Sequence, residues 1–303
     1  MAALAISLGV AGCLCGCKDT PPDADLLTQG GQAAAVVRSY YEALQQTVLD
    51  SWEFETAFSS LTGVAFGESE QTGYANRIAA LAARATVAQR LEDVYSAAMQ
   101  LRSGSDAQAT AAAEGLGNAL KAVPKYPSSG IDPSAVLGQA TDALLGFLRN
   151  RSLANSNRVL TSLLEGIRTL FTDEAAAYQS ILSEREQSGQ HLLEILERQK
   201  MVTATPPLHD LAARLGVSWN DAGTAQPQAE ALALALTTVQ EKRAELLDAC
   251  ATTETGILLG ELAARHQDLV AGRGVNLDNL RRTTAAANTC LQQRVQIPKQ
   301  PND

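Results

Sequence analysis

Apolar residues recur along most of the chain at intervals of three and four, the period that lines one face of an α-helix. The most regular stripe runs through Leu160, Leu163, Leu164, Ile167, Leu170, Phe171, Tyr178, Ile181, Leu182, Leu192, Leu193 and Leu196. It predicts a helix from Leu153 to Met201. A second long helix is predicted from Gln228 to Val270, with Leu232, Leu236, Val239, Leu246, Cys250, Ile257 and Ala264 on its inner face. Before them the pattern predicts helices over Gln32 to Leu61 and Tyr74 to Arg102, then an Ala-rich piece reaching Val123. Asp132-Pro133 reads as an N-cap followed by proline in a first turn, where its missing N–H costs nothing. Asn276 caps a last helix to Gln296, and Gly63 to Gly73, Pro124 to Gly130, Thr205-Pro206-Pro207 and Gly272-Arg273-Gly274 supply the breaks.

Nowhere do β-branched residues alternate with polar ones over a useful length, so no strand is predicted. Two long helices joined by a turn region should lie antiparallel and bury their stripes on each other. The expected fold is all-α: an elongated antiparallel helical bundle with two long helices, occupying residues 26–297 and followed by a polar tail, 298–303. Composition agrees. Among 303 residues, 46% are apolar but only 4% aromatic, and 52 are alanine, a residue that lets helices approach closely. Lys and Arg number 24 against 33 Asp and Glu, a net charge of -9, which argues against a nucleic-acid partner. No apolar run reaches the roughly 18 residues that a membrane-spanning helix needs.

The first residues carry a different signal. Ala2 to Gly12 is apolar and small, too short to span a bilayer but suited to an export signal, and it runs into Val10-Ala11-Gly12-Cys13. This resembles the lipobox of bacterial lipoproteins, in which an aliphatic residue and two small ones precede a cysteine that is lipidated and becomes the new N-terminus. The resemblance implies a signal peptide over residues 1–12, lipidation at Cys13, and an anchor and tether over 13–25. Cys17 is the alternative, with the signal extending to residue 16; cleavage there would leave no surplus thiol beside the anchor. No Lys or Arg precedes Lys18, which points to a start upstream of Met1. The implied location is the bacterial cell envelope, periplasmic or surface-facing, held to the membrane by the lipid.

Export also bears on Cys250 and Cys290, because disulfides persist outside the reducing cytoplasm. Both lie on inward stripes of the last two helices, and a disulfide between them is expected. Their midpoint falls before the Gly272–Gly274 turn, a stagger of roughly 9 Å in a symmetric hairpin. A Cα separation above about 7 Å cannot be bridged. The bond therefore requires the first of the two helices to end early, near Arg265 to Asp268.

Candidate chemistry is sparse. His191, His209 and His266 are the three histidines, and none follows a glutamate by three residues, so the paired ligands of a di-iron bundle are missing. His191 and Glu194 read as a solvated pair, and His266 as an imidazolium near a helix C-terminus. Gly115-Leu116-Gly117 and Gly272-Arg273-Gly274 follow no strand and complete no nucleotide fingerprint. Arg185 and Arg243 fall along apolar stripes; Glu174 is a candidate partner if either is buried, though both could extend their charges to water. No catalytic residue, metal site or cofactor is predicted. Three functional classes fit. The first is a non-enzymatic interaction or structural module with an envelope protein partner. The second is a binder of a small apolar ligand between helices, and the third is an enzyme whose site the sequence does not reveal.

Overall fold

The computed structural model describes residues 24–62, 65–101, 106–127, 129–138, 156–198 and 255–295, with isolated positions between 212 and 238. Among the described residues the chain is helical, with short turns and no strand, so the fold is all-α. The helices long enough to delimit among the described residues are α1 (Ala24–Thr62), α2 (Glu68–Leu101), α3 (Asp106–Lys121), α4 (Ser156–Arg198), α5 (Gly256–Val270) and α6 (Asp278–Val295). A further short helical segment covers 133–138, entered as the sequence implies: Asp132 Oδ1 accepts the Ser134 N–H at 2.9 Å. Asn276 Oδ1 likewise accepts the Asp278 N–H at 2.8 Å and opens α6.

The most extensive described packing is between α1 and α2, followed by α4 with α5 and α2 with α3. The described end of the second predicted helix, α5, packs on α4, while most of its stretch from Gln228 to Glu254 lies outside the described residues; the pair of long helices that pack together is α1 and α2. Helix α1 also touches α4, α5 and α6, and so forms the centre of the assembly. Its inner face is continuous: Leu27, Ala34, Val37, Tyr41, Leu44 and Val48 are all buried. It starts at Ala24, not Gln32, with Leu26 and Leu27 already inside the core. Ala24 and Asp25, expected within the tether, belong to α1, and Asp25 pairs with Arg281 of α6 at 3.2 Å.

The α4 stripe lies inward as predicted, with Leu160, Leu163, Leu164, Ile167, Leu170, Phe171 and Tyr178 buried. In α5 the phase differs. Ile257, expected inside, is 49% exposed, while Leu258, Leu259, Leu262, Ala263, His266 and Leu269 are buried. The α5–α6 turn closes on Gly272, whose φ of +68° is a left-handed conformation suited to glycine. Helix α5 runs on to Val270, so it does not end near Arg265 to Asp268 as a straight Cys250–Cys290 hairpin would require.

Candidate functional site

Two polar clusters lie inside the apolar core. The first joins α2 to α4. Arg84 and Glu174 are fully buried and meet through two parallel contacts, Nε to Oε2 at 2.7 Å and Nη2 to Oε1. Arg84 Nη1 donates to the Ala80 carbonyl at 2.7 Å, and the Tyr178 hydroxyl donates to Glu174 Oε2. A buried charge is tolerable only when its partners satisfy it in this way. Burial works against the Arg84 charge, but the Glu174 hydrogen bond and nearby charge outweigh it and hold the guanidinium pKa above its ordinary value. Burial also raises the Tyr178 and Tyr41 pKa values, which keeps both hydroxyls protonated.

Aromatic rings enclose this pair. Tyr126 lies beneath the guanidinium, 5.7 Å from carbon to ring centroid, and packs edge-on against Tyr178 at 5.7 Å. Tyr41 and Phe171 complete the enclosure, with Tyr41 edge-on to Tyr178 at 6.0 Å. Tyr40 adds a further contact to Phe171. Four of the six tyrosines thus gather at one place in a chain poor in aromatics.

The second cluster ties α2, α4 and α5 together. His266 Nδ1 lies 3.0 Å from Asn157 Oδ1, and its Nε2 lies 3.0 Å from the Tyr95 hydroxyl. Asn157 Oδ1 can only accept, so Nδ1 carries the proton and Nε2 accepts from Tyr95. Burial pushes the imidazole pKa down to about 3, and the ring is neutral across the physiological range. His266 is therefore no imidazolium stabilised by a helix end. It occupies the inward stripe of α5, and desolvation overrides the helix dipole. The Tyr95 ring lies flat against the backbone of α1 at Gly30, where any Cβ would stand 2.2 Å from a ring carbon.

Sequence reasoning named Glu174 as a candidate partner for Arg185 or Arg243 if either were buried, and favoured both arginines reaching water. The partner is Arg84. The available signal was its spacing: Leu81, Arg84, Ala88, Leu91 and Tyr95 form one stripe, in which alanine lowers the contrast. Arg243 and the side chains of Arg185 and His191 lie outside the described residues, as do His209, Cys13, Cys17 and Cys250. Cys290 is half-buried against the core and is not a free side chain. Among the described residues no three His, Cys, Asp or Glu side chains converge as a metal site would need, and no helix is long and apolar enough to cross a membrane.

Both clusters are closed to solvent, so no substrate can reach them in this conformation. What they can do is fix helix register: each polar group finds its partner in one arrangement of α2, α4 and α5, and any slip would strand it. No family model, curated protein or solved structure matches the chain.

Proposed function

We propose that the protein is a lipid-anchored component of a bacterial cell envelope whose helical body serves as a non-enzymatic interaction or structural module with an envelope protein partner. One observation carries this reading: the apolar N-terminal run ends in Val10-Ala11-Gly12-Cys13, only a short tether before α1 begins at Ala24. Such spacing suits a folded body held close to a membrane surface. The body adds support, because its ionisable core groups are committed to one another across helices and are occupied in holding the bundle together. A triacylated cysteine would provide firm attachment where a single chain would not. In the oxidising setting outside the cytoplasm we also propose a Cys250–Cys290 disulfide; Cys290 is disulfide-bonded, and because α5 runs on to Val270 the bond needs a geometry other than a straight hairpin, with Cys250 outside the described residues.

Metabolic labelling with a fatty-acid analogue tests the anchor in wild type, Cys13→Ser, Cys17→Ser and the double variant. Label and membrane association should disappear with Cys13→Ser. Undiminished label in the double variant, or a wholly soluble wild type, would remove the basis of the proposal.

A further inference from the structure

Helices α1 and α6 leave an open groove of about 410 Å³ between them, within the size range of small-molecule sites. Gln29, Gln32 and Ser39 of α1 line it, spaced so that they share one stripe, and Asn288 of α6 faces them. None of these four side chains makes a hydrogen bond among the described residues. The groove stays open because the flanking positions are small, Ala35 on α1 and Ala285 on α6, and its floor includes the buried Val36. Among the described residues of the lining the formal charge belongs to Arg281, which already faces two carboxylates, Asp25 at 3.2 Å and Asp278 at 3.9 Å.

An apolar floor bordered by uncommitted amides and a hydroxyl, with its cation already engaged by two carboxylates, has a definite chemical complement. The ligand should carry an apolar face, a rim of groups that both donate and accept, and no charge. A pyranose ring has this form: its C–H face can rest on alanine and valine, while its hydroxyls meet the donor and acceptor that each amide offers together. An anionic ligand would have to compete with two carboxylates for Arg281, and a wholly apolar one would leave the amides facing hydrocarbon. We propose that the α1–α6 groove binds a neutral saccharide of mono- to disaccharide size.

Saturation-transfer NMR on the full chain tests this with maltose, cellobiose and diacetylchitobiose as probes, and with glucuronic acid and an end-blocked trialanine for comparison. At least one neutral disaccharide should show saturable transfer. Ala35→Leu, which fills the groove from a half-exposed helical position, should weaken it by about tenfold or more. Gln32→Ala with Asn288→Ala, both at exposed positions where folding is insensitive, should weaken it about tenfold through lost hydrogen bonds. No saturable transfer from any neutral saccharide at millimolar concentration would overturn the proposal. So would affinity unchanged in both variants, or preferential binding of the charged sugar or the peptide.

Discussion

Gly30 sits inside α1, where replacing glycine by alanine ordinarily stabilises a helix by about 1 kcal/mol. Here the sign should reverse. An alanine Cβ would lie 2.2 Å from Tyr95 Cε1 and 2.5 Å from both Cδ1 and Cζ, against a comfortable carbon–carbon separation of roughly 3.5 to 4.0 Å. The ring would have to retreat by more than an ångström, yet its hydroxyl is held by His266, which is held in turn by Asn157. Overpacking of this kind costs about 1–3 kcal/mol, and stranding a buried hydrogen-bonding group costs a similar amount. Set against the helix gain, Gly30→Ala should lower stability by about 3 kcal/mol. Gly31→Ala is the control: its Cβ meets only Tyr95 Cβ, at 3.9 Å, so it should be neutral or stabilising by up to about 1 kcal/mol. Urea unfolding followed by far-UV circular dichroism measures both. Adding Tyr95→Leu should largely remove the penalty, as coupling between contacting residues requires. Equal stability of Gly30→Ala and Gly31→Ala would refute the close approach of ring and backbone.

Other perturbations probe the two clusters and the cysteines. Arg84→Met alone should cost about 3–5 kcal/mol by leaving Glu174 buried without its cation, while Arg84→Met with Glu174→Leu should recover most of it; a single variant with wild-type urea midpoint would contradict the pair. His266 has a folded pKa near 3 against an unfolded value near 6.5, so the unfolded chain binds the extra proton between them. Stability from this group is complete above pH 6.5 and falls with acidification, by about 2 kcal/mol at pH 5; His266→Gln should remove that share of the slope, and an unchanged pH profile would count against a buried neutral ring. Thiol titration of denatured, unreduced protein lacking residues 1–19 should find no free thiol on a monomeric chain, whereas two per chain would exclude the Cys250–Cys290 bond.

Most of the helices were legible because leucine and tyrosine recur at helical spacing against a polar background, as in α4 from Leu160 to Tyr178. The caps at Asp132 and Asn276 were legible because a short acceptor side chain there has a local target, needing no tertiary knowledge. What the pattern hid has physical causes. Arg84 and His266 occupy inward positions, but a polar residue on an apolar stripe reads as drift until its partner is known, and the partners lie 90 and 171 positions away for Arg84–Glu174 and Tyr95–His266. Gly30 and Gly31 are poor helix formers by composition, yet both lie inside α1. One of them is required by an aromatic ring arriving from another helix.

The central claim, a helical body tied to a membrane through a lipidated cysteine, is tested most directly by mass spectrometry of the mature N-terminus from the membrane fraction of the native cell. The N-terminal peptide should begin at Cys13 and carry a diacylglyceryl thioether and an amide-linked acyl chain, with Lys18 its first basic residue. A mature chain that retains Ala2 to Gly12 and bears no lipid on Cys13 or Cys17 would contradict the account.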